Sequence, residues 1–276
     1  MKIRLDKALV ERGLAASRER AQALILAGRV LVSEQRVEKP GTPIDEAAPL
    51  RLLGEDLRYV SRGGLKLERA LDHWRIVLDG RACIDVGAST GGFTDCILQH
   101  GAASVLALDT GYGQIAHKLR VDPRVTLRER CNARLLGAGE LAEQESGNRE
   151  QGTGKGVASV DVASSPISFL AMDVSFISAT LVLPAVLGAL VAEGESWQGE
   201  AVVLIKPQFE AGREHVGKGG IVRDPAAREI AIERVRQCVA DLGGKGIDVI
   251  DSPIHGMEGN WEYLLHARFD GGELET

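Results

Sequence analysis

Cys83-Ile84-Asp85-Val86-Gly87-Ala88-Ser89-Thr90-Gly91-Gly92-Phe93 is the stretch that decides the fold of this 276-residue chain. An apolar run of strand character passes into a glycine-rich turn and then into a helical segment. Such a turn lets a ligand approach the backbone closely, with the helix N-terminus pointing at it. Working outward, strand-like runs at 82–87, 104–109, 167–173, 201–206 and 247–250 alternate with helical segments at 92–100, 114–120, 178–193 and 224–242. This alternation predicts an α/β domain, Rossmann-like, with a central mostly parallel sheet and helices on both faces.

The turn itself narrows the ligand. A dinucleotide fingerprint needs G-x-G-x-x-G, and Ser89 stands where the second glycine belongs. Asp85, at the end of the strand, is poor company for a pyrophosphate but suits a ligand with a positive charge, such as S-adenosylmethionine. An ordinary capping role for Asp85 is the alternative. Asp109 ends the second strand, placed to accept hydrogen bonds from ribose hydroxyls. The pattern favours a methyl donor over NAD.

Four more polar residues stand where such a fold brings side chains together. Lys66 lies on a helix, Leu65 to about Trp74, ahead of the first strand. Asp173 ends the run FLAMDVS, Lys206 ends AVVLIKPQF, and Glu262 opens a last strand-like run, Tyr263–Ala267. Active sites of open α/β sheets collect at the carboxyl ends of strands. A lysine directly after Ala-Val-Val-Leu-Ile is costly unless paired, and two lysines sharing a site make one of them fit to act as a base toward a hydroxyl. Read singly, each of the four is equally a surface or salt-bridged charge.

Residues 1–57 read as a separate small α+β module: a helix around Leu5, Ala8 and Leu9, a second from Arg18 to Ala27 with Ser17 as its cap, then a short hairpin or small sheet. Residues 58–64, with a glycine pair, read as a linker, and 65–276 as the larger domain. The interval 137–163, rich in Gly, Glu, Gln and Ser without apolar periodicity, reads as a flexible insertion.

Composition bounds the rest. Hydrophobic residues at 44% and charged residues at 26% exclude whole-chain disorder, collagen and coiled coil. The net charge of -6 hides a split: residues 1–66 carry 13 Lys/Arg against 9 Asp/Glu, and the remainder is correspondingly acidic. Phosphate binding depends on such local clustering rather than on the sum, and Arg4, Lys7, Arg18, Arg20 and Arg29 are the candidate RNA contacts. Four scattered cysteines form no CxxC pair and no two histidines stand at ligand spacing, so no metal is expected. The opening MKIRLDKALVERG has no apolar signal region, and the most apolar stretch, Ile177–Ala192, is broken by Pro184 and Gly188. A cytoplasmic protein without a membrane partner is expected. Nothing in the sequence speaks to oligomeric state.

Several segments carry a resemblance. SRERAQALILAGRVLV at 17–32 resembles the alpha-L RNA-binding motif, with Ser33-Glu34-Gln35 where that family often has Asn-Gly. YVSRGGLKL, DVGASTGGFTD, DTGYGQIAHKLR, MDVSFIS, IKPQFE, GKGGIVRD and SPIHGMEGNWEYL together resemble the TlyA family of rRNA methyltransferases over nearly the whole chain. The catalytic half is similar to the RrmJ/FtsJ class of 2′-O-ribose methyltransferases and their Lys-Asp-Lys-Glu tetrad. The resemblance implies a class I methyltransferase domain that moves a methyl from S-adenosylmethionine to a cytidine 2′-hydroxyl of ribosomal RNA, on ribosomal subunits. By motif, the tetrad falls on Lys66, Asp173, Lys206 and Glu262, with Glu258 a competing acid. The cofactor residues fall on Asp85, Gly87, Ser89, Gly91, Gly92 and Phe93, with Asp109 on the ribose and Asn132 near the adenine. Rival readings are a non-catalytic ribosome-binding or assembly factor, and the membrane-active haemolysin that the family's older label suggests.

Overall fold

The computed structural model describes residues 2–15, 17–53, 58–142, 166–256 and 259–270. The chain divides into two compact units, Met1–Leu57 and Arg58–Thr276.

In the first unit, strand β1 (Lys2–Arg4) leads into helices α1 (Leu5–Glu11) and α2 (Arg18–Leu26), followed by strands β2 (Val30–Val32), β3 (Gln35–Arg36), β4 (Pro43–Asp45) and β5 (Leu50–Leu52). β1 pairs with β4, and β2 lies between β3 and β5, all antiparallel. Leu5, Leu9, Leu24, Ile25 and Val30 form the core at helical and strand spacing. The Ser17 side chain accepts from Arg20 N at 3.2 Å, capping α2 as its sequence predicts. Ser33 and Glu34 both have positive φ, 49° and 64°, the tight-hairpin conformation that Asn-Gly adopts without strain.

Asp6 is fully buried and is the polar hub of this unit. Its carboxylate accepts from Arg4 Nε and Nη2 at 3.0 and 2.9 Å, from Arg18 Nε at 3.2 Å and from Gln22 Nε2 at 3.1 Å. Of the two arginines expected as RNA contacts, Arg18 therefore ties α2 to α1 and Arg4 braces the entry to α1, although both remain about half exposed. Lys7 pairs with Glu11 at 3.3 Å, and Arg29 Nε donates to the Leu53 carbonyl at 2.8 Å.

The second unit begins earlier than its sequence suggests. Residues 58–64 are part of it rather than a linker: Tyr59 is 2% exposed and packs on Gly64, where a Cβ would lie 2.3 Å from the ring. Helix α3 (Gly63–Trp74) therefore starts at the glycine pair. Then come β6 (Ala82–Val86), α4 (Gly92–Gln99), β7 (Ser104–Leu108), α5 (His117–Arg120), β8 (Val125–Arg128), β9 (Ile167–Met172), α6 (Ala179–Ala189), β10 (Gln198–Ile205), α7 (Pro207–Glu210), α8 (Pro225–Asp241), β11 (Lys245–Asp251) and β12 (Tyr263–Asp270). The seven-stranded sheet runs β11-β12-β10-β9-β6-β7-β8, parallel except that β12 is antiparallel to both neighbours. Alternate residues of the central strands feed two cores. Ile84, Val86, Leu170 and Val203 pack with α6 and α8, while Cys83, Phe169, Ala171 and Val202 pack with α3 and α4.

Two further expectations shift. The helix expected at 114–120 is only His117–Arg120, because Ala116, at φ -58° and ψ 137°, is extended and its N–H donates to the Thr90 carbonyl at 3.1 Å. The insertion expected at 137–163 begins later: Gly139 N and Leu141 N donate to the Gly188 and Ala189 carbonyls, and Leu141 is 5% exposed. Its remainder, from residue 143, lies outside the described residues. Among the described residues no helix is long and apolar enough to cross a membrane.

Trp74, at the end of α3, stacks on His266 of β12 with centroids 5.1 Å apart and donates from Nε1 to Asp248 of β11 at 2.9 Å. The far end of the helix is thus fastened to the sheet.

The arginines around Asp6 hold its carboxyl well below the usual carboxylate range. A lowered acid stabilises the fold above its ordinary pKa, and that contribution fades as pH falls below about 4. Asp6→Ala should loosen the first unit by about 2 kcal/mol. Peptide-resolved hydrogen exchange should show faster exchange in α1 and α2 at pH 7, with the difference from wild type shrinking as the medium is acidified.

Candidate active site

The strand ends build the site. Asp173 follows β9, and its N–H donates to the Val86 carbonyl at 2.9 Å, which holds it beside the glycine-rich turn. Lys206 follows β10 and caps α7, where Pro207 at the first helical position turns the chain. Glu262 precedes β12. Because β12 runs antiparallel, with Tyr263 opposite Ile205, its start lies at the same edge as the end of β10. Lys66 comes from the first turn of α3.

These four side chains line one cavity of about 510 Å³, within the usual range for a small-molecule site. Lys66 Nζ donates to Glu262 Oε2 at 2.5 Å, with side chains only 10% and 3% exposed. Lys206 Nζ lies 2.6 Å from Asp173 Oδ1, and its aligned hydrogen bond goes to Ser175 Oγ at 2.7 Å. Asp173 Oδ1 is left buried without a hydrogen bond of its own. The two lysines share this cavity, and each ammonium has its own carboxylate.

Of the residues expected at the cofactor, Gly87, Ser89, Gly92 and Phe93 line the cavity. Gly91, Asp85, Asp109 and Asn132 do not. Gly91, at φ 93°, makes room for Leu119, which would lie 2.2 Å from a Cβ. Asp85 is fully buried behind the turn. It lies one residue before the last of β6, so strand alternation turns its side chain toward α4, where Thr94 Oγ1 donates to Oδ2 at 2.6 Å. Full burial pushes its carboxyl up to about 7, and Oδ1 has no partner. Asp109 accepts from Ser89 N at 2.7 Å and Gly111 N at 2.6 Å, so it fastens the two loops together. Asn132 is exposed and accepts from Arg134 N at 3.2 Å, capping a single 3-10 turn. Glu258 lies outside the described residues.

The structure adds residues that sequence reading passed over. Ser175 and Phe176 lie two and three residues after Asp173, within the MDVSFIS segment that carried the signal. Phe176 is 92% exposed at φ 66°, tilted against Phe209 at 5.6 Å, and both rings line the cavity. A left-handed, water-facing phenylalanine is costly, and such strain collects at functional sites. Asn260 is 2% exposed: it accepts from Val222 N at 3.1 Å and donates to the Gly220 carbonyl at 2.8 Å, joining two loops at the cavity.

Against known proteins, residues 59–269 match the FtsJ-like methyltransferase family and residues 3–48 match the S4 domain. A Bacillus subtilis protein, YqxC, provisionally named as an rRNA methyltransferase, is 46% identical over 272 residues, covering 98% of this chain and 87% of that protein. The 16S/23S rRNA (cytidine-2'-O)-methyltransferase TlyA of Mycobacterium tuberculosis is 41% identical over 266 residues, covering 96% and 89%. A solved structure from Streptococcus thermophilus, with a provisional hemolysin label, superposes with a TM-score of 0.67 at 41% identity over 98% of this chain and 89% of that one.

The Asp85 carboxyl yields a stability test. An acid whose pKa is raised on folding favours the native state while protonated, so stability falls as pH rises from about 4 toward 7. Asp85→Asn keeps the Thr94 bond and removes the ionisation. Chemical denaturation should find the variant less sensitive than wild type across that interval and no less stable at pH 7.

Proposed function

The chain belongs to the TlyA-type rRNA methyltransferases, and on that premise we propose that it transfers a methyl group from S-adenosylmethionine to the 2′-hydroxyl of a cytidine in ribosomal RNA, in the cytoplasm where ribosomes are assembled. The observation that carries this reading is the convergence of Lys66, Asp173, Lys206 and Glu262 on one cavity beside the glycine-rich turn. The cavity's volume and its mixed lining of charged side chains and glycine backbone fit a polar small-molecule ligand.

Gly87, Ser89, Gly92 and Phe93 would hold the methyl donor, with Asp109 and Asp85 fixing the loop from outside the cavity. When bound, S-adenosylmethionine supplies an electrophilic methyl on a sulfonium, with a neutral thioether as leaving group. Lys206, once its ammonium has given up a proton to solvent, takes the proton from the ribose hydroxyl as its oxygen attacks. Asp173 then faces the ammonium that results, while Ser175 holds Nζ in line. Lys66 and Glu262, locked to each other beside Lys206, position the ribose. Most of the acceleration comes from holding oxygen and methyl carbon in line, at about 3 Å.

A nucleotide within folded RNA must leave its stack to reach such a cavity, and the exposed ring of Phe176 offers it a replacement face. The hydroxyl that is methylated is also the group that distinguishes RNA from DNA. Residues 1–57, with Arg4, Lys7, Arg18, Arg20 and Arg29, supply the electrostatic hold on the substrate.

The test incubates the protein with methyl-labelled S-adenosylmethionine and separated small and large ribosomal subunits. Wild type should place label on a ribose, and Lys206→Ala should lose at least about a hundredfold in rate while still binding the cofactor. Cofactor binding without label entering either subunit would overturn the reading.

A further inference from the structure

Three side chains stack in series outward from the cavity. His255 lines it and meets Trp261 edge-on, with centroids 4.8 Å apart at 74°. The Arg228 guanidinium lies 5.3 Å from the Trp261 ring centroid. Trp261 is 44% exposed and directly precedes Glu262. Arg228 Nη2 donates to the Arg223 carbonyl at 3.0 Å, and its Nε is buried without a hydrogen-bond partner. No carboxylate pairs with Arg228 among the described residues, and Arg223 is exposed on the adjoining loop.

This arrangement is out of keeping with its surroundings. The chain beyond residue 66 is acidic, with 20 Lys/Arg against 30 Asp/Glu, so carboxylates to neutralise an arginine are plentiful. The local fold nonetheless braces this guanidinium on an indole and leaves it without one. Its mounting is rigid. Asn260 bonds to Gly220 and Val222 of one loop, and its carbonyl accepts from Gly256 N of the other at 2.9 Å, so the loops carrying Arg223 and Trp261 form one lip. With Nε buried and Nη2 turned to the Arg223 carbonyl, Nη1 is the nitrogen left to meet a phosphate oxygen, and the aromatic face strips water from one side of the cation and strengthens that charge-assisted contact.

We infer that Arg228, braced by Trp261, and Arg223 form a clamp for an RNA phosphate close to the nucleotide being methylated. This is a backbone contact on the catalytic unit itself, distinct from the contacts of residues 1–57. The inference rests on the reading of the chain as an RNA methyltransferase. One strand of RNA entering the cavity must pass its phosphates over the rim, and the clamp sits on that rim next to Glu262.

Steady-state methylation of ribosomal subunits over a series of salt concentrations tests the clamp. Arg228→Ala should raise KM for the subunit about tenfold with kcat kept within about twofold, and should lower the slope of log affinity against log salt by about 1. Arg228→Lys keeps the charge without the planar fork, so it should restore the slope but only part of KM. Arg236→Ala removes the same charge elsewhere on α8 and should match wild type. Affinity for S-adenosylmethionine should be equal in all four proteins. The clamp is overturned if Arg228→Ala behaves like Arg236→Ala, or if it loses kcat with KM and salt slope unchanged, while wild type methylates normally. A wild type that transfers no methyl would instead remove the enzymatic reading, and the clamp with it.

Discussion

One reversed strand governs the catalytic unit. Were β12 parallel to its neighbours, its first residue would emerge at the amino edge of the sheet, far from the ends of β9 and β10. Antiparallel pairing sets Tyr263 against Ile205, so Glu262 and Lys206 stand at the same edge, one residue outside the ladder on each strand. Asp173 arrives there by ordinary parallel pairing, and Lys66 descends from α3. Four residues spread over 197 positions of chain meet because a single strand direction is inverted.

The meeting is electrostatically balanced. Two lysines and two carboxylates converge, and each cation finds an anion at 2.5 or 2.6 Å. Buried pairs of this kind add little net stability, because desolvation offsets most of the attraction, whereas removing one partner strands the other. Their value is positional: the charges fix long, flexible side chains in single rotamers around the space a ribose would fill. Asp85 works differently. Buried and with its carboxyl pushed up to about 7, it accepts from Thr94 behind the turn.

Legibility followed physical signal strength. The glycine-rich turn, the long apolar strands and the polar residues at their ends were readable, because burial on both faces writes continuous apolar runs and strand ends expose the exceptions. β8 left no such mark: Val125–Arg128 is a four-residue edge strand, half-buried along its length. β1 and β4, three residues each, were equally silent. Asp85 was legible as an acid at the strand end, but its partner was not: Thr94 of α4 meets it through the alternation of β6. Residues 58–64 looked like a joint because paired glycines usually mark one, whereas here Gly64 is small so that Tyr59 can lie across it. Phe176 could not be recognised at all, since only coordinates show a phenylalanine turned to water by a left-handed backbone.

The fastening of Trp74 to His266 and Asp248 closes a frame. Helix α3 carries Lys66 near one end and Trp74 at the other, while β12 begins beside Glu262 and carries His266 further along. Helix and strand are therefore joined twice, by an ion pair inside the cavity and by an aromatic stack well away from it. A rod pinned at both ends to a stiff plate can neither swing nor slide along its own axis. The separation of Lys66 from Glu262 is thus a property of the whole rectangle, and the indole remote from the chemistry is one of its corners.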